Sequence, residues 1–341
     1  MKKLAFYSLI ILILLIELAS ASPSENRSKT VNLMIDMDML ASPTEEQVFS
    51  AESNLLDMRN EIETRDLKAT FVSTYDVITT RIRLRLTEIG LSPNFELAMS
   101  GNNSDEKISA KSYAEQKSIL ERSKKAVENC RVCGTNKIVA SGFMPQSFDQ
   151  NSDTYKILDE MGIQYNAGFQ AGVICAPGHQ DDTWPYLVEG HNFYAVPVST
   201  YSLSDKKVPL QDRYFKENGL TSSQWYDALA GKFSEAQNND EPVVIALTAS
   251  ISGSGDYLDA LKQFLDLAIS ADASFVTTMD LVNMSRSEGY QPSAPTTKEC
   301  TTCGQREEQS VEIGITVASN NTTEVATVDS ASISQNRSQA K

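Results

Sequence analysis

Two carboxylates, two cysteine pairs and two histidines are the residues of this chain whose types and spacing could do chemistry. Asp36 and Asp38 sit at alternate positions of the strand-like run Val31 to Met39, so both carboxylates point to one face of that strand. Such a pair could serve as base and ligand for a divalent cation, with loop oxygens completing the shell. It could also bind sugar hydroxyls, or be a solvated strand end. Cys130-Arg131-Val132-Cys133-Gly134 and Cys300-Thr301-Thr302-Cys303-Gly304 are two C-x-x-C-G units that leave Cys175 unpaired. Three readings stay open for them: disulfides, a four-thiolate zinc or iron site, or redox activity. His179 and His191 lie in a long loop region, which reads as a surface or supporting role for both.

The elements that must position these residues follow from periodicity. Ser42-Pro43-Thr44-Glu45-Glu46 opens a helix whose apolar positions Val48, Leu55, Leu56, Met58 and Ile62 continue to about Leu67. Ala69 to Val72 and Phe95 to Met99 read as strands, the second ending in the polar loop Ser100 to Lys107. Ser112 and Glu115 form a capping box that starts a helix to Val127. Lys137 to Phe143 reads as a strand, Asp153 to Met161 as a helix stopped by Gly162, and Ile163 leads into a further strand. Phe193 to Val198 and Val243 to Leu247 are strand-like, while Ser222 to Glu235 and Tyr257 to Ile269 are helical. Phe275 to Thr278 is the last strand. Strands alternating with helices over some 250 residues predict a parallel α/β fold, an open doubly wound sheet or a barrel. No G-x-G-x-x-G or phosphate-loop pattern favours a nucleotide.

The flanks read differently. Lys2 and Lys3, the apolar run Leu4 to Leu18 and Ala19-Ser20-Ala21 predict an export signal over residues 1–21, with an uncleaved anchor as the rival. Residues 22–30 follow as a linker. Asn-x-Ser/Thr triplets begin at Asn26, Asn102, Asn283, Asn320, Asn321 and Asn336, as expected of a secreted or cell-surface glycoprotein. Residues 290–341 are rich in Ser, Thr and Asn and read as a tail, with a short strand conceivable only at Val311 to Val317. The 341 residues carry 45 acidic and 30 basic side chains, a formal charge of -15, which argues against a nucleic-acid partner.

The order of the elements from Val31 to Met284 resembles the polysaccharide deacetylase (NodB homology) family, carbohydrate esterase family 4. Val31 to Asp38 looks like the family's first motif, a strand ending in two aspartates. Lys68-Ala69-Thr70-Phe71-Val72 resembles its second strand. Phe95 to Gly101 looks like the strand that precedes the family's His-x-x-x-His, and Gly142-Phe143-Met144-Pro145 like its third motif. Val243 to Leu247 and Phe275 to Leu281 look like its last strands.

The resemblance implies a distorted (β/α) barrel over residues 31–289. In the family, one Asp and two His hold a divalent metal that polarises the acetamide carbonyl and activates water, and a second Asp is the base. On this chain the two metal histidines map to Ser100 and Ser104, the base-orienting Arg to Met144 and the late acidic His to Thr248. The expectation is an exported protein that binds, or only weakly deacetylates, an N-acetylated glycan of the cell envelope. Asp38, Ser100, Ser104, Met144 and Thr248 would line the binding site. The alternative is an active metal-dependent deacetylase, a hydrolase of non-peptide C–N bonds, with Asp36 as base and Asp38 as metal ligand. Metal, if any, would be a divalent cation at Asp36 and Asp38 or, separately, zinc at Cys130, Cys133, Cys300 and Cys303. Trp184, Tyr186, Phe193, Tyr194, Tyr201, Trp225 and Tyr226 could stack sugar rings, or be core.

Overall fold

The computed structural model describes residues 29–130 and 138–287. The export signal, Cys133, Cys300, Cys303 and the tail lie outside the described residues.

The chain alternates strand and helix. The strands are β1 (Thr30–Met37), β2 (Ala69–Ser73), β3 (Phe95–Met99), β4 (Gly142–Phe143), β5 (Tyr165–Gln170), β6 (Tyr186–Leu187), β7 (Tyr194–Val198), β8 (Thr200–Leu203), β9 (Lys206–Pro209), β10 (Val243–Thr248) and β11 (Ser274–Val276). The helices are α1 (Glu45–Glu63), α2 (Tyr75–Ile78), α3 (Arg83–Leu91), α4 (Tyr113–Glu128), α5 (Ser152–Glu160), α6 (Asp212–Glu217), α7 (Ser222–Asn239), α8 (Ala249–Ser252), α9 (Gly255–Ser270) and α10 (Thr278–Ser287). One sheet runs β10-β1-β2-β3-β4-β5-β7-β6, and β11 pairs with the first residues of β1. All its pairs are parallel except β6 with β7. β8 and β9 form a separate hairpin.

The sheet curls towards closure. Ser199, just after β7, donates its N–H to the Val244 carbonyl at 2.9 Å, and its hydroxyl accepts from the Val244 N–H at 2.9 Å. Closure makes an inside and an outside, and the period of two along each strand sorts the side chains. On β1, Val31, Leu33, Ile35 and Met37 pack outward with the helix layer, while Met34 joins Val72, Ala98, Ala167, Val196, Val244 and Ala246 inside. The helices supply the outer cover through apolar faces such as Leu258, Leu261 and Leu265 of α9. The predicted barrel is therefore the observed architecture.

Local chemistry sets the helix starts. Thr44 with Gln47 caps α1, Ser112 with Glu115 caps α4, and Thr221 with Gln224 caps α7, each pairing reciprocally. Two expectations change, and one stretch to which no element was assigned holds two helices. β1 begins at Thr30, within the predicted linker, because Lys29 already offers its carbonyl to the Ser274 N–H. Of the strand expected over Lys137 to Phe143, the described residues are in strand only at Gly142 and Phe143. The stretch between Val72 and Phe95 holds α2 and α3, whose mixed polar sequence gave no periodic signal.

A polar layer closes the floor of the barrel. Glu96, inward on β3, accepts from Thr70 Oγ1 at 3.1 Å, from the Met279 N–H at 2.8 Å and from Tyr165 Oη at 2.8 Å. Burial pushes the Glu96 carboxyl up from the usual range, against those three donors. Thr278 at the start of α10 donates its N–H to Thr70 Oγ1, and Asn32 donates to the Val276 carbonyl. Gly142 is a packing requirement here. A Cβ on it would stand 1.8 Å from the Tyr165 ring that reaches across to Glu96.

Candidate functional site

The C-terminal ends of parallel strands form the barrel's mouth, where the first amides of the following loops and helices leave unpaired groups for chemistry. Parity along β1 carries inward facing from Asn32 and Met34 to Asp36, which is almost fully buried. Asp38 follows the strand and is less enclosed. Its carboxylate accepts from Ser250 Oγ at 2.7 Å and from the Ser250 N–H at 3.3 Å, at α8.

Arg213, on the first turn of α6, joins the two carboxylates. Its Nη2 stands 3.2 Å from Asp38 Oδ2 and 3.6 Å from Asp36 Oδ2. These are charge contacts rather than aligned hydrogen bonds, since Arg213 Nη2 is buried without an acceptor in hydrogen-bonding geometry. Burial opposes the guanidinium's charge, but Asp36, Asp38 and Asp212 outweigh it and push its pKa up.

The start of α6 is tied to the end of β10. Asp212 is buried and accepts from the Thr248 N–H at 2.8 Å, from Ser252 Oγ at 2.6 Å and from the Arg213 N–H at 2.6 Å. Burial nevertheless pushes its carboxyl up to about 6, against those donors. Asp36 is also pushed up to about 6. Burial is the main cause, Arg213 opposes it, Asp38 adds to it and the bond from Gln146 opposes it again.

Gln146 completes the mouth. Its Nε2 donates to Asp36 Oδ1 and to Ser100 Oγ, each at 3.0 Å, while its Oε1 is buried and unpartnered. The residues after it are held in an unusual path: Ser147 (φ 53) and Phe148 (φ 58) are consecutive non-glycine residues in the left-handed region. That conformation costs on the order of 1–2 kcal/mol per residue. It is stabilised by Asp149, which accepts from the Ser109 N–H at 2.8 Å and from Ser109 Oγ at 2.5 Å. The loop therefore aims a carboxamide at a buried carboxylate. Thr74, at the end of β2, adds a third buried and unpartnered polar atom, Oγ1.

The residues expected from the sequence separate. Asp36, Asp38, Ser100 and Thr248 are joined through Gln146, Arg213 and Asp212. Ser104 lies on the loop after β3 and donates its N–H to the Met39 carbonyl. Met144 packs in the inner core with Val72, Ala98 and Val198, so it supplies shape and no polar group. His179 bonds Asp182 at 2.6 Å and stacks on Tyr186 at 3.9 Å, and His191 bonds Asp159 at 2.6 Å. Both histidines are thus engaged at β6 and α5. Trp225 and Phe193 are fully buried core residues, as the alternative reading of the aromatics had it.

The cysteine expectation is corrected in two places. Cys130 is a free, buried thiol, pushed up to about 11 by burial, rather than a disulfide half. Cys175, expected unpaired, is disulfide-bonded.

Gln146, Asp212, Arg213, Ser250 and Ser252 were not found from sequence. They sit in loops and short helices where no repeat or spacing marks them, and only the convergence of strand ends brings them together.

The donor set does not fit a divalent metal. Asp36 and Asp38 already face one guanidinium, and Asp36 also receives an amide donor. The Ser100 hydroxyl accepts from that same amide, and a neutral hydroxyl is a weak replacement for imidazole. Among the described residues, no three His, Cys, Asp or Glu side chains are grouped so as to hold a metal ion.

No family model matches the chain, and no curated protein sequence does. Solved structures do match. A protein from Mycobacterium smegmatis assigned as a polysaccharide deacetylase superimposes with a TM-score of 0.63 at 16% identity, over 82% of this chain and 97% of that one. Puue allantoinase does so with a TM-score of 0.61 at 13% identity, over 79% and 94%. A protein of Pseudomonas aeruginosa PAO1, also assigned as a polysaccharide deacetylase, gives 0.60 at 11% identity, over 78% and 94%. Curled sheet, strand order and these superpositions agree: the chain has the NodB-type (β/α) barrel fold seen in polysaccharide deacetylases.

Proposed function

We propose that this is an exported, cell-surface protein whose barrel mouth binds an N-acetylated glycan without metal-dependent deacetylation. The observation that carries the reading is the set of buried polar atoms at the mouth without a hydrogen-bond partner: Gln146 Oε1, Thr74 Oγ1 and Arg213 Nη2, the last held only by charge contacts to Asp36 and Asp38. A buried polar atom without a partner costs about 1–3 kcal/mol, so such atoms mark places where a ligand or water is expected. A donor beside an acceptor suits an acetamido group, which presents one C=O and one N–H. Sugar hydroxyls suit the remaining oxygen. The fold supports the substrate class, because two of its neighbours are assigned as polysaccharide deacetylases. The export signal and the Asn-x-Ser/Thr triplets read from the sequence support the location.

Arg213 and Gln146 also answer the hydrolase alternative. Asp36 has a carboxyl suited to proton transfer near pH 6, but its lone pairs face a guanidinium and an amide, and Met144 leaves it no side-chain orienting donor at that position. Calorimetric titration with N-acetylglucosamine oligomers tests the proposal. Saturable binding is expected, unchanged by a chelator and weakened at least tenfold in Gln146→Leu. Acetate release that is stimulated by metal and lost in Asp36→Asn would overturn it in favour of the hydrolase. Absence of binding with either N-acetylated or de-N-acetylated oligomers would overturn the glycan reading itself.

A further inference from the structure

The mismatch between this mouth and a divalent metal has a specific cause in the structure. Asp36 and Asp38 are the carboxylates that the deacetylase fold would give to base and metal. One nitrogen of Arg213 stands at ion-pair distance from both, 3.6 and 3.2 Å. A metal bound to either carboxylate at about 2.0–2.6 Å would have to share that space with a fixed positive charge. Arginine does not relinquish its proton in a protein, so the charge cannot be titrated away to make room.

The backbone turn that carries the guanidinium is also anchored. The Arg213 backbone N–H donates to Asp212 Oδ1 at 2.6 Å, and Asp212 Oδ2 is fastened to the Thr248 N–H and to Ser252 Oγ. From the opposite side Gln146, itself 5% exposed, holds Asp36 through its amide and leaves its own Oε1 unpartnered. Both carboxylates are therefore oriented by protein donors, which is the orienting work a bound cation would otherwise do.

We propose that Arg213 is the resident cation of the barrel mouth: its guanidinium takes the place of a divalent ion between Asp36 and Asp38, and removing it opens a latent cation site. This goes beyond the glycan reading and does not depend on it, because the test uses metal alone. It makes the electrostatics of the mouth independent of metal supply and insensitive to chelators. It also assigns Arg213 a positioning role for Asp36 and Asp38.

Manganese(II) is the probe, because it prefers oxygen ligands and is a poor match for the cysteine thiols. The full chain is titrated with Mn²⁺ and read by calorimetry and by the electron paramagnetic resonance of free Mn²⁺. Wild type is expected to show no Asp38-dependent site up to millimolar concentration. Arg213→Ala, or Arg213→Gln should the alanine variant fail to fold, is expected to gain one site at least tenfold tighter. That site should vanish in the double variant with Asp38→Asn. Arg213→Lys, which keeps the charge, should stay without it. One equivalent of Mn²⁺ in wild type that is lost in Asp38→Asn would overturn the proposal, as would a folded Arg213→Ala or Arg213→Gln protein that gains no site.

Discussion

The floor and the mouth of this barrel are both polar layers built on inward positions of the same strands, yet they are finished differently. At the floor, Glu96 has three donors, from Thr70, Tyr165 and the Met279 amide, and every one comes from a different element. Among the described residues, none of these floor side chains is left with an unpartnered buried atom. At the mouth, Asp36 is more enclosed than Glu96, but Gln146, Arg213 and Thr74 each keep a buried polar atom without a hydrogen-bond partner. A satisfied polar layer ties elements together and specifies how the barrel closes. A polar layer left incomplete at strand ends is the place where something else is to be bound. Burial and a raised carboxyl pKa occur in both layers, so neither property separates the two; their hydrogen bonding does.

The comparison is most exposed at Glu96. Glu96→Ala leaves the Tyr165 hydroxyl, the Thr70 hydroxyl and the Met279 amide facing a cavity, and should cost about 3–4 kcal/mol in urea unfolding. It should leave Mn²⁺ and glycan titrations unchanged in the folded fraction. Loss of ligand binding at full stability would erase the distinction between the two layers. Asp212→Ala comes next, at about 2–3 kcal/mol, since it strands the amides of Thr248 and Arg213 and the Ser252 hydroxyl. Unlike the floor variant it should also weaken glycan binding, because the turn that carries Arg213 loses its tie to the end of β10.

A pH series sharpens the contrast further. Asp36 and Asp212 sit at about 6 in the folded chain against an ordinary value of 3.8, so each takes up its proton more readily folded than unfolded. Stability from these two groups is then fully present below about pH 4 and is lost as pH rises through about 6. Asp36→Asn removes one of the two, and its unfolding free energy should fall less than that of wild type between pH 4 and pH 7, by about 1–3 kcal/mol. Parallel curves for the two proteins would show that Asp36 is not strained by its burial. The smallest effect belongs to Ser250→Ala, which removes a bond to the outer, partly solvated Asp38. Thermal unfolding should register no more than about 0.5–1 kcal/mol.

Much of the fold was legible because it rests on local patterns. Pro43 with Glu45 and Glu46 marks one helix start by first-turn chemistry, Ser112 with Glu115 marks another by a capping box, and those helices start where the sequence places them. Runs such as Val243 to Leu247 are apolar on both faces because helices cover one side and the barrel interior the other. The placing of Asp36 and Asp38 on one face follows from the period of a strand, and the two do share a partner. The mouth was only half legible. Ser100 and Thr248 were found from motif order, but Met144 proved to be core packing, and Ser104 engages Met39 through its backbone.

What the sequence determined by itself is the alternation of strand and helix, their caps, and which strand positions face inward. These are set by interactions within a few residues or by a fixed period of two. Only the tertiary structure decided that Arg213 meets Asp36, 177 positions away in the chain, and that Gln146 meets Asp36 at a separation of 110. Such pairs have no local signature, because neither residue's type or spacing depends on the other until parallel strands end side by side. Closure of the barrel supplies that neighbourhood, and low polarity inside it turns three aspartates, an arginine and a glutamine into one coupled site.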